Sequence, residues 1–218
     1  MSGQKKIDTK KLVVLALMAA LSYAAVALFR IPVVQFLKYE PKDCLLAIAG
    51  MLYGPLPALS VAVVVSLLEM VTISTTGPIG LVMNILSSGL FVCPAALVYQ
   101  KKRTIQGAVI GLMLGAVLMS GGMVLWNWLI TPLYMGIPRQ AVVEMLIPVF
   151  LPFNLLKAGL NAALTVLLYK SAVTVLRKAH LVPEREVPVP QGRHRRSWVI
   201  GAAVLVILVA VLVLWRVL

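Results

Sequence analysis

The sequence predicts an all-α polytopic membrane protein, and three observations support this class. Hydrophobic residues make up 61% of the 218 residues and charged residues only 12%, with a mean hydropathy of +0.99. Several apolar runs are close to, or reach, the length of about 20 residues that a helix needs to cross a bilayer. The net charge of +13 lies mostly in a few connecting segments, which is typical of cytoplasmic loops and not of a nucleic-acid-binding surface. A soluble protein is excluded by this composition.

The first membrane helix is predicted at about residues 11–30, after a lysine-rich N-terminus. Its apolar run is longer than the roughly 7–15 residues of a signal peptide, so it should be retained. Ala16, Ala20 and Ala24 recur every four residues and form a stripe on one face. Small residues let a second helix approach closely in lipid, so the stripe is a candidate docking face. The alternative is that alanine is simply common in membrane helices.

A polar connection follows at residues 30–43, and the next apolar stretch, 44–73, is interrupted by a Gly-Pro-Leu-Pro break at 54–57. One kinked helix would place the basic residues 101–103 on the opposite side of the membrane from the N-terminal lysines. Two helices place both basic groups on the cytoplasmic side, as membrane proteins prefer. We therefore expect a short second helix, a tight cytoplasmic turn, and a third helix that ends near Glu69.

The remaining helices are predicted at about 79–100, 107–130 and 141–170, joined by a basic cytoplasmic loop at 100–106 and an outer loop at 131–143. This organises the chain as a six-helix membrane domain at 1–179, a basic, proline-containing cytoplasmic linker at 180–197, and a seventh transmembrane helix at 198–218. The N-terminus is expected in the cytoplasm. The last residue is expected outside if the seventh helix spans the membrane.

Three polar residues interrupt the last long apolar run. Asn154, Lys157 and Asn161 are spaced i, i+3, i+7, which places them on one face of a helix. Lys157 should lie ~18 Å from the nearer end of that run, where an ammonium needs a partner or a watery cavity. The alternative is a structural pair with a buried carboxylate such as Glu69. Two amides on the same stripe favour a hydrogen-bonding wall of a pocket.

Further candidates come from the outer side. Trp126 and Asn127 end the fifth helix, and the segments 38–43 and 72–80 reach the same surface. Amides, one cation and aromatic rings around a cavity suit a flat, polar small molecule. The alternative for the tryptophan is interfacial anchoring, and for loop carboxylates it is a solvated charge. The loop residues proposed as ligand contacts are Tyr39, Glu40 and Asp43.

Catalytic motifs are absent from the sequence. It contains no G-x-x-x-x-G-K-[ST] phosphate loop, no H-E-x-x-H helix and no paired Cys-x-x-Cys. Cys44 and Cys93 are far apart and are interpreted as two inert thiols. We therefore predict a non-catalytic binding subunit with no catalytic residues, no metal site and no catalytic cofactor.

Four segments together resemble a known family. They are the alanine stripe, F-L-K-Y-E-P-K-D at 36–43, G-x-x-x-G-P-L at 50–56, and P-F-N-L-L-K at 152–157. Over about residues 10–180 the chain resembles the substrate-binding S components of energy-coupling factor (ECF) transporters, of the riboflavin type. These are six-helix proteins, so the linker and seventh helix have no counterpart in the pattern. By resemblance, Asn154 and Lys157 correspond to residues that hydrogen-bond the flavin ring, and Asn127 to a further ring contact.

The resemblance implies a function in the bacterial plasma membrane. The chain would capture riboflavin, as transported ligand, from outside. It would dock through its alanine-bearing helix on a transmembrane coupling protein driven by two ATPase subunits. The alternatives are an S component for folate or a pyrimidine-like precursor, a stand-alone carrier that uses Glu69 or Lys157 for ion coupling, and a purely structural membrane scaffold.

Overall fold

The computed structural model of the protein describes residues 8–34 and 37–182, and most of them are helical. The predicted seventh helix at 198–218 and nearly all of the linker at 180–197 lie outside these residues. The helices are α1 (Thr9–Leu28), α2 (Lys42–Tyr53), α3 (Pro55–Thr72), α4 (Gly77–Lys102), α5 (Ile105–Met135), α6 (Arg139–Met145) and α7 (Leu151–Lys178). A π-helical turn, Leu146–Phe150, joins α6 to α7.

Within the described residues, five helical stretches are long and apolar enough to cross a membrane. They are α1, α3, α4, α5 and the continuous stretch Arg139–Lys178. The short α2 lies among them and packs against α1, α3, α4 and α7. Its segment from Leu46 to Met51 is buried throughout. Because α2 is surrounded on all sides, it is apolar around its whole circumference rather than on one stripe.

The predicted division of residues 44–73 into two helices is confirmed. Gly54 ends α2 and precedes α3, with a φ angle of +101° that side chains rarely adopt. Pro55 occupies the first position of α3, where its missing N–H would be unpaired in any case. The Gly-Pro sequence therefore produces a sharp turn and not a kink.

The connection at 30–43, expected as a polar loop, contains a two-stranded antiparallel hairpin. Its strands are β1 (Ile31–Val34) and β2 (Leu37–Tyr39), and Ile31 pairs with Tyr39. β-branched residues favour extended backbone, which explains the strand.

The outer loop predicted at 131–143 is wrong in extent, since α5 continues to Met135 and α6 begins at Arg139. Apolar residues after Pro132 continue the helix, and it ends where Gly136 takes a φ of +66°.

Two glycines allow α4 and α5 to pack backbone to backbone. A Cβ on Gly111 would lie 2.8 Å from the Ala95 carbonyl oxygen. A Cβ on Gly115 would overlap the Phe91 carbonyl oxygen outright. Small residues are what permits such close contact between membrane helices.

We expect Gly115→Ala to lower the free energy of unfolding by about 1–3 kcal/mol, because the added methyl forces two backbones apart. The thermal stability of the detergent-purified protein measures this. Gly121→Ala is the matched control, since a Cβ there meets nothing within 4 Å and the gain in helix propensity is the same. Equal melting temperatures for the two variants would contradict the assigned packing.

Candidate functional site

A cavity of about 860 Å³, including the part open to solvent, lies between the hairpin, the α3–α4 connection, α4, α5 and α7. Its aromatic lining residues are Trp126, Tyr134 and Phe153. Its polar lining residues are Arg30, Lys38, Glu40, Thr75, Thr76, Asn84, Ser87, Asn127, Thr131, Asn154 and Lys157.

Lys157 reaches this cavity from α7 and is only 6% exposed. Its ammonium lies 3.9 Å from Oδ2 of Asp43, which is beyond hydrogen-bonding distance. No described residue forms a hydrogen bond with this ammonium. The other oxygen of Asp43 accepts a hydrogen bond from Ser88 at 2.5 Å. Asp43 therefore balances the charge of Lys157 while leaving its three N–H donors available to a ligand.

The alternative pairing of Lys157 with Glu69 is not what the structure shows. Oε1 of Glu69 lies 2.5 Å from the ammonium of Lys42, a side chain that is completely buried. Oε2 of Glu69 accepts a hydrogen bond of 2.8 Å from the Asn84 amide. Both carboxylate oxygens are thus occupied by residues other than Lys157.

Glu40, at the end of the hairpin, connects the Lys42–Glu69 pair to Arg30, which follows α1. Its carboxylate lies 3.4 Å from the Lys42 ammonium and 3.0 Å from Nε of Arg30. Arg30 also donates a hydrogen bond of 2.7 Å to the Ile73 carbonyl. Glu40 is 4% exposed, so it is not the solvated loop charge that the sequence also allowed. Charge pairs therefore fasten the end of the hairpin to Arg30 and to Lys42 of α2, and Arg30 is in turn hydrogen-bonded to the residue that follows α3.

The environment of Glu40 favours its ionised form. Burial alone would raise the pKa of its carboxyl, but Lys42, Lys157 and Arg30 outweigh burial and hold the pKa below its usual value. Because the folded-state pKa is the lower one, the stabilisation is present at neutral pH. It is lost when the pH falls through that lowered pKa.

Two asparagine amides complete the polar wall. Asn154 donates one N–H to the Phe150 carbonyl at 2.7 Å, and Asn127 donates one to the Met123 carbonyl at 2.7 Å. Each is bound to its own helix, four residues back, and keeps a second N–H. Oδ1 of Asn127 also accepts a hydrogen bond from Thr131 at 2.8 Å. These bonds hold both amides in place beside the cavity.

The structure brings five of the predicted contact residues to the cavity lining and places three elsewhere. Lys157, Asn154, Asn127, Glu40 and Trp126 line it, whereas Tyr39, Asp43 and Asn161 do not. Asn161 instead joins α7 to the start of α2: its oxygen accepts from the Cys44 backbone N–H at 3.1 Å, and its Nδ2 donates to the Glu40 carbonyl at 3.3 Å.

Sequence reasoning missed several lining residues, above all Arg30, Asn84 and Thr131. Asn84 carried the same signal that singled out Lys157, a polar side chain inside a long apolar run. Thr131 lies one helical turn beyond Asn127 and on the same face. Arg30 resembled an ordinary loop cation in the sequence.

The alanine stripe lies away from the cavity. The inward face of α1 consists of Val14, Met18, Ser22 and Val26. Ala16 and Ala20 are exposed and Ala24 is half-buried. Each alanine follows an inward residue by two positions, about 200° around the helix. In the described part of the chain, no cluster of three or more His, Cys, Asp or Glu side chains could hold a metal ion.

Comparison with known proteins identifies the family. The family model "ECF transporter, substrate-specific component" matches residues 10–169. The riboflavin transporter FmnP of Bacillus subtilis is 27% identical over 189 residues, covering 80% of this chain and 100% of that protein. The riboflavin transporter RibU of Streptococcus thermophilus is 27% identical over 183 residues, covering 78% and 86%.

A solved structure of the S component of a bacterial ECF transporter has the same fold. It superposes with a TM-score of 0.66 at 24% identity and covers 77% of this chain and 98% of that chain. The resemblance inferred from the sequence motifs is thereby confirmed at the level of the family. This chain belongs to the substrate-specific components of ECF transporters, and it is a multi-pass membrane protein that acts as a non-catalytic binding subunit.

Proposed function

We propose that this chain binds riboflavin in the cavity and is the riboflavin-specific subunit of an ATP-driven ECF importer. Relatives that align over about four-fifths of the chain are named as riboflavin transporters. The cavity combines polar and aromatic walls, as sites for small heterocyclic ligands do.

The observation that carries the proposal is the unsatisfied ammonium of Lys157 beside two anchored amides. A flavin ring presents carbonyl oxygens and ring nitrogens that accept hydrogen bonds. Lys157 can donate up to three such bonds, and Asn154 and Asn127 one each. Trp126 and Phe153 supply ring faces and edges against which a flat heterocycle can pack.

The orientation we propose places the cavity outside and the basic ends of the helices in the cytoplasm. Lys11 lies 5.8 Å from the centre of the Tyr53 ring, so α1 begins where α2 ends. Tyr99 and Tyr169 are hydrogen-bonded at 2.8 Å, so the C-terminal half of α7 reaches the end of α4. Lys101 and Lys102 follow in α4, and basic residues on the cytoplasmic side are the rule.

The proposed partners are a transmembrane coupling protein and two ATPase subunits. No ATP-binding loop occurs in this sequence, so in the proposed importer ATP is hydrolysed by other chains. The alanines of α1 offer a small-residue face for the coupling protein.

The test is a titration of the detergent-purified protein with riboflavin, followed by tryptophan fluorescence. We expect a yellow preparation or saturable quenching at sub-micromolar ligand, because Trp126 lines the cavity. Folate and pyrimidine precursors, titrated in parallel, should not quench. A protein that is silent to riboflavin but responds to another vitamin would contradict the assigned ligand.

A second measurement separates this proposal from an ion-coupled carrier. Glu69 is engaged by both Lys42 and Asn84, so it is not a free proton acceptor. We therefore expect no uptake by the chain expressed alone. Uptake without partner chains that is abolished by an uncoupler would favour the carrier.

A further inference from the structure

We propose that Asn84 is a specificity-determining residue, and that the buried Glu69–Lys42 pair positions it as a hydrogen-bond acceptor for the ligand. This inference rests on the proposed function, because riboflavin serves as the probe. It assigns the α4 wall of the cavity a task opposite to that of Lys157 and Asn154, which donate from α7.

The orientation of the Asn84 amide follows from the chemistry of its partner. Oε1 of Glu69 lies against the Lys42 ammonium, so the carboxylate is ionised and can only accept hydrogen bonds. Asn84 must therefore turn its NH₂ group toward Glu69, and Nδ2 donates to Oε2 at 2.8 Å. Its carbonyl oxygen is left on the other side of the amide. No described residue donates a hydrogen bond to this oxygen. The oxygen is not among the completely buried unpaired atoms, and Asn84 lines the cavity.

The buried Glu69–Lys42 pair behind Asn84 disfavours the reversed amide. Lys42 has no exposed surface, and Glu69 is 1% exposed. A reversed amide would direct a carbonyl oxygen at an ionised carboxylate and leave one buried oxygen of that carboxylate unpaired. Lys42 is also held by Glu40 at 3.4 Å. The acceptor on α4 is thus fixed before any ligand enters.

A fixed acceptor selects ligands that carry a donor at the matching position. In riboflavin this donor is either the imide N–H of the ring or a hydroxyl of the ribityl chain. An analogue without the donor would leave a buried oxygen unpaired, and such a mismatch is what binding sites reject most strongly. Discrimination should therefore depend on Asn84 and not only on the shape of the cavity.

The experiment compares riboflavin with two analogues, one methylated at the ring imide nitrogen and one, lumiflavin, that has a methyl in place of the ribityl chain. Dissociation constants are measured for the wild-type protein and for Asn84→Leu. We expect the wild-type protein to bind one analogue at least about tenfold more weakly than riboflavin. Asn84→Leu should bind riboflavin about tenfold more weakly and lose that preference. The analogue that binds more weakly shows whether Asn84 accepts a hydrogen bond from the ring imide or from a ribityl hydroxyl.

Glu69→Gln tests the positioning role separately. A glutamine can donate as well as accept, so the Asn84 amide can reverse and the preference should fall while folded protein is still recovered. Glu144→Gln, an exposed acid on α6, is the matched control and should keep the preference. Gel filtration and thermal stability report folding for each variant.

Three results would overturn the inference. If the wild-type protein binds both analogues as tightly as riboflavin, no hydrogen-bond acceptor of the protein discriminates between these ligands, although the proposed riboflavin binding stands. This comparison requires no variant. If Asn84→Leu, or Asn84→Ser should the leucine variant not fold, keeps the full preference, another residue supplies it. A wild-type protein that does not bind riboflavin would overturn the proposed function as well.

Discussion

Lys157→Ala is expected to weaken riboflavin binding by roughly 30- to 150-fold while leaving the protein folded. A hydrogen bond from a charged group is worth about 2–3 kcal/mol at a site shielded from water, which corresponds to this loss. Lys157 is 6% exposed and forms no hydrogen bond with the described residues. Removing the ammonium therefore takes away a hydrogen-bond donor that would contact the ligand, and it breaks no hydrogen bond within the described protein.

The fold should survive because Asp43 retains other stabilising contacts. Asp43 lies in the first turn of α2, where the helix dipole favours a negative charge. One oxygen remains hydrogen-bonded to Ser88 at 2.5 Å. Removing the ammonium ends the cost of burying it but also leaves Oδ2 of Asp43 buried without a charge partner. We therefore expect a lower melting temperature for the variant and not loss of the fold.

Titration calorimetry and thermal unfolding measure the two effects of Lys157→Ala separately. Lys170→Ala is the matched control, an exposed lysine further along α7, and it should bind riboflavin like the wild-type protein. Loss of folded Lys157→Ala protein, restored by adding Asp43→Asn, would identify a structural ion pair instead. Unchanged affinity would show that the ligand does not contact Lys157.

The sequence predicted the helices well because each rests on local information. Apolar runs set the lengths of α1, α3 and α4, and the Gly-Pro step at 54–55 set the boundary of α2. Polar residues inside an apolar run pointed correctly to Lys157 and Asn154 as cavity-lining residues. Helical spacing explains why these two lie on one face of α7.

The same helical spacing did not predict the contacts of Asn161. It lies on the same face as Asn154, but seven residues are about 10.5 Å along the helix axis. At that depth α7 no longer borders the cavity and instead meets the start of α2. There the side-chain amide of Asn161 is hydrogen-bonded to the backbone of Cys44 and Glu40. Periodicity gives the direction of a side chain, but only the packed neighbours give its partner.

Charge partners were the least predictable part of the site. Lys42 and Glu69 are 27 positions apart, and Glu40 appeared in the sequence as one more polar loop residue. Their pairing depends on α2 lying at the centre of the bundle and on the hairpin folding against it. Neither feature is encoded in a local pattern. The acceptor role of Asn84 depends on the same pairing and was missed for the same reason.

Ala20→Trp is expected to abolish energised uptake and to leave riboflavin binding unchanged. Ala20 is exposed on α1, on the side away from the buried stripe, and does not line the cavity. An indole there would keep a coupling protein from the close helix contact that small residues permit. Uptake is measured in vesicles that contain the coupling protein and both ATPase subunits, and binding is measured on the purified chain.

The control for Ala20→Trp is Val117→Trp on α5, which places the same indole at a residue that is 65% exposed on another helix. We expect it to transport riboflavin normally, since Val117 lies on α5 and not on the alanine stripe, and an added ring at so exposed a residue displaces no packed neighbour. Uptake by Ala20→Trp at the wild-type rate would move the docking surface away from the alanine stripe. Loss of binding in Ala20→Trp would instead mean that α1 contributes to the shape of the site. Only normal binding combined with lost uptake separates capture from coupling. It would place coupling on the exposed face of α1 and capture in the cavity, whose lining contains no residue of α1.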